Sequence, residues 1–211
     1  MKIGRRGRRT PARPLKPLPW PDADVLARVR RLNMSALEAA IRCIAAGSAD
    51  DIEVVRRHKE LWLAMDAAAC ARIAGNPVLL IDLRFQDMEW WLWVTNKAPK
   101  PIRARHADEH LKLAEATTLT REILVEACIT SRSSPLAAKL GFGLNSRVLE
   151  VIADLQSSEI DHIATSHHDE LQLRWADDAV FWRNLLRAAS SGSDDDIAAV
   201  HMHSLQLLES E

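Results

Sequence analysis

No uninterrupted apolar run among the 211 residues approaches the roughly 18 needed to span a membrane, and no apolar targeting segment follows the arginines at the amino terminus. A cytosolic, soluble protein is the resulting expectation. Cysteine is scarce. Cys43, Cys70 and Cys128 lie within apolar helical patterns and form no Cys-x-x-Cys pair, which predicts reduced, buried thiols and argues against a disulfide framework or a zinc site. Glycine-rich phosphate loops, Gly-x-Ser-x-Gly elbows and supported pairs of catalytic carboxylates are also missing, and Leu140-Gly-Phe-Gly143 is too short to count as a nucleotide loop. These absences argue against an enzyme and imply no cofactor.

Acidic residues are missing from the first 20 positions, which hold seven basic ones: Lys2, Arg5, Arg6, Arg8, Arg9, Arg13 and Lys16. The rest of the chain then carries 21 basic against 29 acidic groups, a net of −8 behind an overall charge of −1. Gly4, Gly7 and the prolines at 11, 14, 17, 19 and 21 interrupt the arginines, so residues 1–21 read as a disordered or extended basic arm. Arg5, Arg6, Arg8, Arg9, Arg13 and Lys16 are the candidate DNA phosphate contacts, since each neutralised phosphate adds a salt-dependent increment to affinity. A solubilising tail, or one lying on the acidic body, is the bland alternative. A cluster of Arg28, Arg30, Arg31, Arg56, Arg57 and Lys59 would give the body its own positive face for DNA.

What is present is a pattern that recurs. Leu83, Arg84, Phe85, Asp87 and Trp91 match Leu173, Arg174, Trp175, Asp177 and Phe181 at a shift of 90 positions. Ile73-Ala74 then falls on Ile163-Ala164, while Cys43-Ile44 matches Cys128-Ile129 at a shift of 85, which leaves about five extra residues near Ser133 to Gly143. The expected fold is mainly α, with two similar helical half-units, each containing one short strand that leads into an Asp-capped helix, in the manner of a fused pseudo-dimer. The first repeat spans 22–96, a linker 97–105, and the second repeat with its carboxy-terminal helix 106–211.

Local signals fill in the elements. Val25, Leu26, Val29 and Leu32 form an amphipathic stripe, and Ser35-Ala-Leu-Glu38 has the spacing of a capping box that opens a second helix towards Gly47. Ser48 to Asp51 resembles another start, and Gly75-Asn76-Pro77 ends the run that follows. Val78 to Phe85 and Glu170 to Trp175 read as strands, with Asp87 and Asp177 as the caps of the helices after them. Ser133-Ser134-Pro135 marks a helix start, Leu140 to Gly143 a turn, Ser158-Glu-Ile-Asp161 a capping pair, and Ile197 to Leu208 a terminal helix. Seven of the ten aromatics belong to the two strand-to-helix segments, where packing is a commoner role than nucleotide stacking.

His106-Ala-Asp-Glu-His110 has the His-x-x-Glu-His order of one zinc hydrolase class, in which a distant acid such as Glu150 or Glu170 would complete the ligands. His167-His168 and His201-x-His203 are weaker candidates, and surface or turn histidines are the commoner case. The metal reading is therefore set aside.

The stretch from Leu124-Val-Glu-Ala-Cys-Ile129 through Leu140-Gly-Phe142, Val148 to Leu155 and Ile160-Asp-His-Ile-Ala164 to Leu171-Gln-Leu-Arg-Trp175 resembles FlhD, a subunit of the bacterial flagellar master regulator. It is also similar to small proteins of integrative conjugative elements, and the likeness is clearest over residues 119–186. The resemblance implies a helical transcription regulator that works with an FlhC-like partner and meets promoter DNA directly or through that partner. Because FlhD is dimeric, a tandem chain could supply both halves of such a dimer, and homo-oligomers are a further expectation. No DNA-contacting residue carries over from the matching positions. The competing expectation is a non-DNA-binding helical adaptor or antiactivator that sequesters another regulator.

Overall fold

The apolar three- and four-residue steps that start at Val25 run unbroken to Ile44. In the computed structural model, which describes residues 23–96 and 115–210, they form one helix, α1 (Ala23–Ala45). Val29, Leu32, Leu37 and Ile44 are fully or nearly fully buried on either side of Ser35, and this packing carries the helix through the expected capping box. Ser35 and Glu38 are therefore interior helical residues. The helix ends where Gly47 turns left-handed (φ +75°), which lets Gly47 N–H donate to the Ile44 carbonyl and Ser48 N–H to that of Cys43, both at 3.0 Å.

Helix α2 (Glu53–Leu63) begins without a side-chain cap at Ile52, so the start expected from Ser48 to Asp51 does not form. Asp66 caps α3 (Ala67–Ala74), its carboxylate accepting from Ala69 N–H at 2.6 Å. The strand expected at Val78 to Phe85 is reduced to β1 (Ile81–Asp82). The physical reason is fully buried Asn33 on α1. Its amide donates to the Asn76 and Val78 carbonyls at 3.3 and 3.1 Å, and its side-chain oxygen accepts from Leu80 N–H at 2.8 Å. Leu79 N–H reaches the Gly141 carbonyl at 2.7 Å and the Leu80 carbonyl accepts from Arg174 N–H at 2.9 Å, so scattered partners and not a long ladder satisfy this segment. Asp87 caps α4 (Met88–Val94), accepting from Trp90 N–H at 3.1 Å, as its position in the sequence suggests.

In the second half, α5 (Ala116–Ser133) is followed by α6 (Pro135–Phe142), with Pro135 in the first turn. The extra residues that the comparison of the halves assigns near Ser133 to Gly143 are thus a helix. Leu140 to Phe142 belong to its last turn, and Gly143 ends it with φ +65°. Asn145 caps α7 (Ser146–Asp154). The capping pair of α8 (Ser157–Ser166) is Gln156 with Glu159 and not Ser158 with Asp161, because Asp161 instead binds Arg121 at 2.6 Å. A 3₁₀ turn at His168–Glu170 leads to β2 (Gln172–Leu173), which is shorter than the Glu170 to Trp175 strand expected. Two further helices, α9 (Ala179–Ser191) and α10 (Asp194–Ser210), complete the described residues. The fold is mainly α.

The two short strands pair antiparallel with each other, Ile81 opposite Leu173 and Asp82 opposite Gln172. Past them the chain makes the same turn twice. Arg84 and Trp175 take left-handed φ values of 52° and 53°, Asp87 and Asp178 cap the next helices, and Trp91 and Trp182 are both fully buried. Each indole N–H closes its turn: Trp91 donates to the Arg84 carbonyl at 3.0 Å and Trp182 to that of Arg174 at 2.9 Å.

The left-handed residues, the caps and the tryptophans are each 91 apart, one more than the matching letters indicate, whereas the carbonyls that accept the indole bonds, Arg84 and Arg174, are 90 apart. The cap expected at Asp177 is therefore Asp178, which accepts from Val180 and Phe181 N–H, while Asp177 is exposed. Trp175 likewise corresponds to Arg84 and not to fully buried Phe85. Backbone conformation and helix-start donors set the register here, and the shared Leu-Arg-aromatic letters do not.

Packing crosses the midline. Helix α4 rests on α7, α9 rests on α2 and α3, and α1 meets α5, so residues of both halves share one core. Trp62 of α2 and Trp182 of α9 lie 5.2 Å apart between ring centroids. At the strand pair, Arg174 is 2% exposed; it donates to Asp82 Oδ1 at 3.2 Å and to the Phe142 carbonyl at 2.8 Å. A Cβ on Gly143 would stand 2.0 Å from Arg174 Nη1, so only glycine fits against this guanidinium.

Two mutational outcomes follow from these contacts. Gly143→Ala must displace Arg174 from its carboxylate and should cost roughly 3–5 kcal/mol, the scale for disrupting a buried ion pair. Gly192→Ala, with φ +73° and nothing within 4 Å, should cost about 1–2 kcal/mol for the left-handed backbone alone. Equal losses in urea denaturation would contradict the Arg174 contact. For the caps, Asp87→Ala and Asp178→Ala should each lose about 0.5–2 kcal/mol. Asp177→Ala should leave the urea midpoint unchanged, and a loss there equal to that of Asp178→Ala would restore the expected register.

Candidate interaction surface

The candidate phosphate contacts Arg5, Arg6, Arg8, Arg9, Arg13 and Lys16 lie outside the described residues, as do the linker 97–105 and the His106, Glu109 and His110 motif. Among the described residues no group of three or more His, Cys, Asp or Glu side chains could hold a metal ion. The other histidines are engaged locally. His167 packs edge-on against Trp90 and Trp93, His168 Nδ1 lies 3.1 Å from the Thr165 carbonyl oxygen, and His203 lies against Phe181. Glu170, proposed as a distant ligand, is buried beside Arg84 at 3.4 Å. The three cysteines are free and buried, and burial pushes the Cys70 and Cys128 thiols up, which keeps them protonated and poorly nucleophilic.

The six basic residues that could have formed a positive face on the body are largely neutralised in place. Arg28 and Arg31 converge on Glu126, Arg56 and Arg57 on Glu53, and Lys59 on Asp50 at 2.7 Å. Arg30 is different: it is exposed and has no ion-pair partner among the described residues. Arg56, Arg57, Lys59 and Arg187 do share a groove of about 630 Å³ between α2 and α9, but Glu60 lines it too, and the first three are paired as above. Five of the six cations therefore meet a carboxylate of the chain's own body, and among the described residues they form no continuous basic surface.

A second groove, of about 580 Å³, is apolar. One wall is the α1 stripe Ala23, Leu26, Ala27 and Arg30, the other is the α10 stripe Ala198, His201, Met202 and Leu205, and Gly75-Asn76-Pro77 forms the floor. Each wall repeats at three- and four-residue steps, so each is one face of a helix over two turns. Asn76 fixes the floor: its side-chain oxygen accepts from Val78 N–H at 2.9 Å and from the Ser204 hydroxyl at 3.0 Å, which ties the loop to α10. The His201 ring packs beside Gly75, where a Cβ would meet its Cε1 at an ordinary contact distance of 3.6 Å and the Arg72 carbonyl oxygen more closely at 3.1 Å. Among the described residues the Asn76 amide nitrogen and His201 Nε2 are buried without a hydrogen-bond partner. Of the residues of α10 only Ile197 and Ser204 are buried, and Met202 is 58% exposed. These groove residues escaped the reading of the sequence because Leu26 was grouped with its buried neighbours Val25 and Val29, and because α10 is remote in the chain from α1.

Burial lowers the His201 pKa below its ordinary 6.5, so the folded protein holds the ring neutral. The unfolded chain takes up that proton first as the pH falls. The stability from His201 is therefore complete above about pH 6.5 and is lost as the pH drops from there towards the folded-state value. Between pH 7.5 and 5.5 the wild type should lose more urea stability than His201→Gln, and equal losses would contradict this assignment. Compared with family models, with curated proteins and with solved structures, the chain finds no match.

Proposed function

We propose that the chain is an FlhD-like transcription-regulatory protein that works through a protein partner, with binding and not catalysis as its chemistry. The observation that carries the reading is the solvent-open apolar groove between α1 and α10, on a body where five of the six candidate basic residues of α1 and α2 meet its own carboxylates. An apolar trough framed by two helix faces suits a protein segment, whereas a DNA backbone needs unmatched positive charge. In this reading the body receives the partner, and the arginines of residues 1–21 supply any direct phosphate contact.

Fusion of two like half-units belongs to the same proposal. It is supported by the paired strands, by the turns repeated 91 positions apart, and by α4 and α9 each resting on the opposite half. One chain would then provide the equivalent of a regulator dimer. The acidic balance of the body also favours a second reading, a helical adaptor or antiactivator that sequesters another regulator and never touches DNA.

Fluorescence anisotropy with a labelled duplex, titrated at 50 to 300 mM salt, separates the two. The expected result for the full chain is binding that weakens steeply with salt, with a chain beginning at Asp22 failing to bind. Failure of the full chain to bind leaves the adaptor reading. Equal binding by both chains would contradict the assignment of phosphate contacts to the arm.

A further inference from the structure

We infer that the α1–α10 groove is the docking site for an acidic amphipathic helix of a partner protein, an inference that rests on the partner-binding reading above. Ala23 to Arg30 and Ala198 to Leu205 each run for two helical turns, about 10 Å at 1.5 Å per residue. A third helix laid between them would meet a wall on each side and the Gly75 to Pro77 floor beneath. Three of the wall residues are alanines, which allow a neighbouring backbone to approach closely, and Leu26, Met202, Leu205 and Pro77 supply apolar contact. A helix with apolar residues at i, i+3 or i+4, and i+7 has the matching stripe.

Charge selects among the helices that could lie there. Among the described residues no carboxylate lines the groove, and its one permanent cation there, Arg30, is the member of the basic set left without an ion-pair partner. Its neighbours Arg28 and Arg31 are both held by Glu126 on α5. An incoming Glu or Asp at the edge of the apolar stripe would complete Arg30. The chain's own residues 1–20 do not fit this requirement, because they carry seven cations and no acid. His201 adds no competing charge, since burial holds it neutral.

The probe is a 14-residue peptide, held helical by a lactam on its outer face, with leucines at positions 1, 4 and 8 of the stripe and glutamates flanking them. A second peptide carries lysines in place of the glutamates. Both are titrated into the full chain labelled at methionine methyls. The acidic peptide is expected to shift the Met202 methyl saturably and the basic one to bind roughly tenfold more weakly. Arg30→Glu should reverse that order, and Met202→Glu should abolish binding while leaving the urea midpoint and the salt-dependent DNA titration unchanged. Equal affinity for the two peptides, or an unmoved Met202 methyl with both, overturns the inference. So does a sedimentation result in which the free chain is a dimer that Met202→Glu dissociates, since a second copy then fills the groove. Peptide failure with arm-dependent DNA binding intact removes this inference alone. Peptide binding without any DNA binding retains it and leaves the adaptor reading.

Discussion

Arg174 is the charge around which the two halves are arranged. A guanidinium at 2% exposure must be paired, because the cost of stripping its water is several kcal/mol, and its carboxylate partner Asp82 comes from the opposite half. Asp82 is also pinned by Gln172 and accepts from the backbone N–H groups of Arg84 and Phe85, so one side chain holds the strand pair, the following turn and the buried cation together. The Phe142 carbonyl takes another guanidinium hydrogen, which brings the end of α6 against the same point and forbids any side chain at Gly143. Once the strands are fixed in this way, α4 rests on α7 and α9 on α2 and α3, each helix against the other half. Neither half can then bury its tryptophans alone.

The sequence made the helices legible wherever a buried stripe is long. The faces of α1 and α9 and the Asp87 cap follow from apolar period and helix-start chemistry. Failures came where tertiary contacts outweighed a local signal. Ser35 and Glu38 have the spacing of a cap, yet buried residues before and after them hold one continuous helix. Val78 to Leu80 are branched or apolar and read as a strand, but Asn33, more than 40 positions away, supplies their backbone partners. The Leu-Arg-aromatic letters coincide at a shift of 90, whereas the left-handed residues Arg84 and Trp175 stand 91 apart, so the matching letters do not mark matching backbone positions. An αL backbone leaves no clear mark on residue type when strong contacts hold a non-glycine residue there.

The candidate surface was harder to see for a related reason. It joins residues 23–30 with residues 198–205, and each stripe alone is an ordinary amphipathic face. The seven cations of the first 20 residues are conspicuous in the sequence, whereas Arg30 is distinguished only by carboxylates placed beside its neighbours. Charge counting gave the sign of the body but could not reveal which of the six candidate cations on α1 and α2 lacks a carboxylate. Fold and site are connected through α10, which is anchored by Ser204 to Asn76, and Asn76 lies in the loop that Asn33 ties to α1. The groove is therefore built on the same buried polar contacts that position the first half.

The central claim is that the two halves are one interlocked cooperative unit and not two small domains. Native-state hydrogen exchange of the Trp91 and Trp182 indole N–H groups, followed against low concentrations of denaturant, tests it directly, because each proton closes the equivalent turn of one half. The account predicts that both exchange only through global unfolding, with the same free energy and the same denaturant dependence. Exchange of one indole through a markedly lower-energy opening, with the other still fully protected, would contradict it.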